Sequence, residues 1–288
     1  MLTRISKIIT ICALVLCPAS IVSAQHRVTH VEPIPVIQLP YYKTETRPGW
    51  EERGPEWIKW LAVGVRFPNG SGTICYFDPE TKYAYVISAG HLFSGRSLRY
   101  DPNRKPKMTE IDVFYHNERK LDKPKSYPCE VLCYQNFSDS VWDVAICRFK
   151  ADWDVEWYAS IAPKDYKLKK GHNYHSTGCD GLTPVAHYSV KYVEERDRGP
   201  VTEIITVENG PRGGRSGGGV MTDDGQLIFI CSRGNSYAYW TSLQQIHKFL
   251  ELESEFEFIL NSDIAARVPI HDQKDPTRVF PPGYIPLP

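Results

Sequence analysis

The sequence lacks a charge excess of either sign: its 288 residues carry 34 basic and 34 acidic side chains. A nucleic-acid-binding surface needs clustered lysine and arginine, so this balance gives no support to a nucleic-acid partner. Internal repeats are missing too, which argues against a solenoid or a propeller. The cysteines show no zinc-binding spacing, and we expect neither a metal nor an organic cofactor.

Long apolar runs are scarce, and the run near the start is too short to span a bilayer. Arg4 and Lys7 precede it, and the small residues Val22-Ser23-Ala24 follow it. This order is typical of a secretory signal peptide covering residues 1–24. Cys17 raises a lipoprotein alternative, but Leu16 before it is not small. We therefore expect a secreted or periplasmic protein with no membrane anchor after signal removal.

Six cysteines remain after that removal: Cys75, Cys129, Cys133, Cys147, Cys179 and Cys231. An even number in an exported protein predicts disulfides, with fifteen possible pairings. One pairing is excluded, because Cys129 and Cys133 would lie roughly 13 Å apart along a single strand. The alternative is that several of the six are buried free thiols.

The chain divides by composition into four parts. After the signal, residues 25–56 form a proline-containing extension that we interpret as a linker, a strap or a propeptide. Residues 57–250 alternate apolar segments with turns, as all-β domains do. Residues 251–288 form a tail that is first polar and then rich in proline.

Local signals fix several elements within residues 57–250. Asn69-Gly70 predicts a hairpin that pairs residues 60–65 with residues 72–76. Ser242 and Gln245 form a capping-box pattern, which predicts a closing helix over residues 241–252. His172 and His175 have a metal-like spacing, but no third ligand stands out nearby, so we predict a loop there.

Three short motifs carry the residue types of nucleophilic catalysis. Ser216 lies among glycines in Gly214-Arg215-Ser216-Gly217-Gly218, His91 ends Ser88-Ala89-Gly90-His91, and Asp143 begins Asp143-Val144-Ala145-Ile146. A serine hydroxyl needs a base to take its proton, and the base needs an acid to orient it. Asp139 competes for the acid role, but Asp143 directly precedes an apolar strand.

In their order along the chain, His91, then Asp143, then Ser216, the motifs resemble those of the trypsin/chymotrypsin-like serine peptidases. The resemblance covers roughly residues 57 to 250 and implies an all-β fold of two six-stranded antiparallel barrels with a C-terminal helix. The barrels would span about residues 57–155 and 171–240. Gly70-Ser71-Gly72 also resembles a strand of the compact bacterial HtrA-type branch.

The resemblance implies a role for each matched residue. His91, Asp143 and Ser216 would be the catalytic triad, and the N–H groups of Gly214 and Ser216 would form the oxyanion hole. The segment Ser232-Arg233-Gly234 would bind a polypeptide substrate, with Arg233 either favouring an acidic or polar substrate or facing solvent.

Two positions bear on specificity and activity. Gly210 lies where trypsin-like members have an acid, so a preference for cutting after lysine or arginine has no support. Arg215 replaces the family's usual Asp or Asn, and an arginine cannot pair with a new N-terminus as trypsin-style activation requires. It also places a positive charge beside the oxyanion turn, where the charge could assist an anion or mark an altered site. The sequence thus predicts a secreted serine endopeptidase; the alternative is a catalytically inactive peptidase-fold binding protein.

Overall fold

A computed structural model describes residues 60–116, 119–136, 142–182, 184–197, 202–206, 213–234 and 238–260. The predicted signal peptide, the extension at 25–56 and the proline-rich end of the tail lie outside these residues and stay predictions. Among the helices described, none has the length and apolar character needed to cross a membrane.

The first half of the described chain is a closed antiparallel barrel of six strands. They are β1 (Gly64–Phe67), β2 (Gly70–Phe77), β3 (Tyr83–Ser88), β4 (Lys107–His116), β5 (Arg119–Gln135) and β6 (Val144–Lys150). Their order around the barrel is β1-β2-β3-β6-β5-β4. A closed sheet leaves no unpaired edge, and its inward side chains fill one apolar core.

The second half repeats this architecture. Its strands are β7 (Asn173–Gly178), β8 (Ala186–Asp197), β9 (Thr202–Thr206), β10 (Gly219–Met221), β11 (Leu227–Gly234) and β12 (Ala238–Ser242). They close in the order β10-β11-β12-β9-β8-β7. The predicted all-β fold of two six-stranded barrels is therefore confirmed.

The predicted hairpin forms, with one correction at its start. Strands β1 and β2 pair from Phe67 opposite Gly70, across a two-residue turn at Pro68 and Asn69. Residues 60–62 are helical, although we predicted strand there. The four residues from Trp60 to Val63 are all buried, and a helical turn accommodates such a run where a one-sided strand would expose every second residue.

The closing helix α1 (Leu243–Leu252) begins where the capping box predicted it. The Ser242 hydroxyl accepts from the Gln245 N–H at 3.4 Å, and the Gln245 amide oxygen accepts from the Ser242 N–H at 2.8 Å. Beyond the helix, residues predicted to be a polar tail continue as a 3₁₀ helix, Ser254–Ile259. Its buried Phe256 packs edge-on against Tyr100, so this 3₁₀ helix lies against the segment before β4.

All six cysteines of the described residues are buried free thiols. The predicted disulfides are absent from the described residues, and the alternative of buried thiols agrees with the structure. Burial raises the pKa of the Cys75 thiol to about 12, because a thiolate has no water to solvate it there.

Candidate active site

The ends of three strands bring the predicted site residues toward one another. His91 lies in a 3₁₀ turn, Gly90–Leu92, directly after β3, and Asp143 directly precedes β6. Strands β3 and β6 are neighbours that pair Ser88 with Ala145, so this sheet register places the two residues side by side. Ser216 comes from the second barrel, in the turn before β10.

His91 contacts Asp143 at two points. The His91 Nδ1 lies 2.8 Å from the Asp143 Oδ2, and the His91 backbone N–H donates to the Oδ1 at 2.8 Å. A ring whose Nδ1–H donates to a carboxylate leaves its Nε2 as an acceptor. The side chain of His91 is 22% exposed, whereas that of Asp143 is fully buried. The pair thus presents the histidine edge, and not the carboxylate, to solvent.

Two residues of the second barrel complete the surroundings of Asp143. The hydroxyl of Ser232 donates to the Asp143 Oδ2, and the Thr241 hydroxyl donates to the Asp143 backbone carbonyl at 2.9 Å. The buried carboxylate therefore accepts three hydrogen bonds, counting the two from His91. Such bonds compensate for the hydration that a buried charge loses.

Ser232 also contacts the predicted nucleophile. The Ser216 Oγ donates to the backbone carbonyl of Ser232 at 3.0 Å. Ser232 therefore joins Ser216 to Asp143, through its carbonyl on one side and its hydroxyl on the other. We predicted that the backbone of Ser232 would pair with a substrate, and this stays a prediction. The Ser232 hydroxyl is engaged with Asp143.

The turn around Ser216 has the geometry that its glycines predict. Gly214 and Gly217 have positive φ angles of +91° and +88°, a region that side chains other than glycine rarely adopt. A Cβ on Gly217 would also lie 2.0 Å from the Ser71 carbonyl oxygen. Glycine is therefore required at Gly217 by both backbone conformation and space.

Hydrogen bonds to two backbone carbonyls orient the peptide groups of the turn. The Gly213 carbonyl accepts from the Gly181 N–H at 2.6 Å, and the Arg215 carbonyl accepts from the Gly218 N–H at 2.8 Å. In a trans peptide the N–H points opposite to the carbonyl. The N–H groups of Gly214 and Ser216 consequently point away from the groups that donate to these two carbonyls.

Ser71, which we placed in a sequence motif without giving it a role, holds the same turn from the first barrel. Its N–H donates to the Ser216 carbonyl at 2.7 Å and its hydroxyl donates to the Gly214 carbonyl at 2.8 Å. The Cys179 N–H in turn donates to the Ser71 hydroxyl at 2.8 Å. One residue of β2 thereby links the first barrel to two segments of the second.

Arg215 carries a buried and paired charge. Its side chain is 1% exposed and makes two hydrogen bonds to Asp180, at 2.8 and 2.6 Å. The two alternatives for this charge, that it assists an anion or that it marks an altered site, both stay predictions. We predicted no role for Asp180 from the sequence, because its partner lies 35 positions away along the chain.

The remaining predicted residues are placed only in part. Arg233 and Gly234 end β11, where their backbones pair with Tyr239 and Ala238 of β12. The side chain of Arg233 lies outside the described part of the chain, as do Gly210 and Asp139. The interpretation of Arg233 and Gly210 in substrate specificity therefore stays a prediction. The same holds for Asp139, which we considered only as a competitor of Asp143 for the acid role.

Outside this site, a group of histidines lies on the second barrel. We predicted a loop at His172 and His175, but His175 is in β7, with its Nε2 2.9 Å from Asp223 and its Nδ1 2.9 Å from His187. His172 lies 3.2 Å from the same Asp223 carboxylate. In the ranges that the structure covers, no three His, Cys, Asp or Glu side chains are arranged to hold a metal ion.

The fold and the site together define a double-barrel protein with a His–Asp contact beside a serine in a glycine turn. No model of a known protein family matches the chain, and neither does any curated protein.

Similar solved structures include two of the Rv3671c protease, both described as inactive forms. They are 16% and 15% identical, with TM-scores of 0.47 and 0.49. The alignments cover 69% and 72% of this chain and 92% and 94% of those chains. The second is a serine-to-alanine mutant from M. tuberculosis H37Rv.

The MamO protease domain from Magnetospirillum magneticum, in its apo form, is 13% identical with a TM-score of 0.46. That alignment covers 67% of this chain and 97% of the domain. These values are too low to transfer an activity, so function has to be argued from the site.

Proposed function

We propose that this protein is a serine endopeptidase that hydrolyses peptide bonds with Ser216 as the nucleophile. The observation that carries the proposal is the contact between the His91 Nδ1 and the buried Asp143. It supports the tautomer in which the Nδ1 carries the proton and the Nε2 can accept one. The glycine turn, with Ser216 at its centre, supplies the other half of the argument.

In the proposed first step the Ser216 Oγ attacks the scissile carbonyl carbon while its proton passes to the His91 Nε2. The resting hydroxyl is bound to the Ser232 carbonyl, so it must first turn toward His91. The carbonyl oxygen becomes an oxyanion, which the N–H groups of Gly214 and Ser216 stabilise. Asp143 fixes the ring and compensates its positive charge.

The intermediate then collapses. The C–N bond breaks, His91 gives its proton to the leaving amine, and the acyl group remains on Ser216. Water, deprotonated by His91, attacks the ester, which releases the acid and restores the hydroxyl. These steps need the chain's own residues and water.

The substrate would lie along the end of β11. Backbone groups of Ser232, Arg233 and Gly234 would pair with an extended polypeptide. Secretion or residence in a periplasm is proposed from the signal-like residues 1–24 alone.

The test is cleavage of an unbiased peptide library by the purified protein, with new termini identified by mass spectrometry. The wild type should create new termini, and Ser216→Ala and His91→Ala should not. His116→Ala is the matched control, because this histidine stacks on Trp153 in the first barrel, apart from the site. If the folded wild type cuts no peptide, the endopeptidase proposal fails and the binding-protein alternative replaces it.

A further inference from the structure

The turn that carries Ser216, residues 213–218, is called the nucleophile turn here. One of its residues, Arg215, forms an ion pair with Asp180. Two guanidinium nitrogens, Nε and one terminal nitrogen, each bond one carboxylate oxygen. Both side chains are nearly buried, at 1% and 8% exposed. The guanidinium carbon also lies 3.5 Å from the centre of the Tyr188 ring, which covers its face. This arrangement fixes the plane of the guanidinium from two directions.

Arg215 is the central residue of the turn that carries the predicted oxyanion donors. It lies between Gly214 and Ser216, and its own carbonyl is the acceptor for the Gly218 N–H. The Arg215 carbonyl and the Ser216 N–H belong to one peptide group, so a rotation about the Arg215 backbone would turn the Ser216 N–H relative to the Gly214 N–H.

Asp180 belongs to the 3₁₀ turn Asp180–Leu182, which follows β7. Its neighbour Gly181 donates its N–H to the Gly213 carbonyl at 2.6 Å. This short segment consequently holds the nucleophile turn at two points, one on each side of Gly214.

A contribution to stability does not by itself explain why a buried ion pair stands at this place. Burying two charges has a desolvation cost that their attraction often fails to exceed, and an apolar pair of similar volume is commonly as stable. A two-point Arg–carboxylate contact does supply direction, because it fixes angle as well as distance.

We propose that Asp180 and Arg215 are positioning residues that hold residues 213–218 in the form whose N–H groups face the reacting carbonyl. The inference rests on the proposed function for its catalytic consequence. Its structural content, that the pair orders the turn, stands independently of that function.

Three variants of the full mature chain test the proposal. Asp180→Leu with Arg215→Met replaces the pair by apolar side chains. Arg215→Lys keeps the charge but loses the two-point contact. Glu130→Leu with Arg148→Met is the matched control, because that Arg–Glu pair also lies against a tyrosine, Tyr83, but in the first barrel.

Two measurements are made on each variant: hydrogen–deuterium exchange of residues 213–219, and the rate of covalent labelling by a fluorophosphonate. Losing one oxyanion donor typically slows an enzyme about 10²–10³-fold. We therefore expect the apolar variant to label at least about 100-fold more slowly and to exchange at least about tenfold faster in this segment. The control pair should match the wild type in both.

Wild-type labelling and exchange in the folded apolar variant would overturn the proposal. If that variant does not fold, the Arg215→Lys variant tests the proposal instead. Slower labelling at an unchanged melting temperature would support a positioning role for the pair, and an unchanged labelling rate would overturn the proposal. An unlabelled wild type would refute the proposed function, and the exchange measurement alone would then decide whether the pair orders the turn.

Discussion

Asp143→Asn is the substitution whose effect follows most directly from the site. The wild-type carboxylate accepts from the His91 backbone N–H on Oδ1, and from the His91 ring and the Ser232 hydroxyl on Oδ2. An asparagine has one acceptor oxygen and one donor amide group. The backbone N–H cannot reverse its polarity, so the oxygen must remain at the Oδ1 position.

The amide NH₂ then faces the His91 Nδ1. The Ser232 hydroxyl can rotate and accept, but the ring can accept only if its proton moves to Nε2. A neutral imidazole protonated at Nε2 cannot take the proton of Ser216. We therefore expect fluorophosphonate labelling at neutral pH to slow about 10⁴-fold, the size of effect that a reversed tautomer produces in such a triad.

The assay follows the adduct by intact mass over time, and thermal melting confirms that each variant is folded. Asp112→Asn is the matched control, since Asp112 pairs with Arg66 on the first barrel and should label at the wild-type rate. A slowing of less than tenfold in Asp143→Asn would refute the argument that this carboxylate sets the tautomer of His91.

Three further predictions concern stability and the thiols. Gly217→Ala should destabilise the protein by about 3 kcal/mol or more in denaturant unfolding, because its Cβ would overlap the Ser71 carbonyl. Gly171 has a similar φ of +81°, but a Cβ there would meet open space, so Gly171→Ala should lower the stability by only about 1 kcal/mol. Equal losses of stability in the Gly217→Ala and Gly171→Ala variants would contradict the role of the overlap. Ser242→Ala should remove the helix cap and lower stability by about 1 kcal/mol, or about 2–4 °C in melting temperature; no change would contradict its role. Iodoacetamide at pH 8 should leave the six described thiols of the native protein unmodified, because all six are buried and burial raises the pKa of Cys75 to about 12. After unfolding without reductant all six should react, and fewer than six would indicate disulfides.

The fold was predictable because its strongest signals are local. The hairpin turn at residues 67–70 and the Ser242–Gln245 capping box each depend on residues a few positions apart, and both form as predicted. The helical turn at residues 60–62 was missed because a short apolar run has no period that separates a buried helix from a strand.

The site was predictable only where a motif carried it. The partners Ser71 and Asp180 were missed because their contacts with the nucleophile turn depend on how the barrels and loops pack, which spacing along the chain does not encode. The same reason explains Arg215: its charge was visible in the sequence, but the carboxylate that pairs with it was not. The narrower likeness to the HtrA-type branch stays a prediction.

The central claim is that Ser216 is an activated nucleophile, and covalent labelling of the purified mature protein tests it most directly. A fluorophosphonate should form a Ser216 Oγ–P bond with loss of fluoride, adding one adduct per chain, located by peptide mapping. Ser216→Ala should take up none. A folded wild-type protein that gains no adduct, or gains it at another serine, would contradict the account.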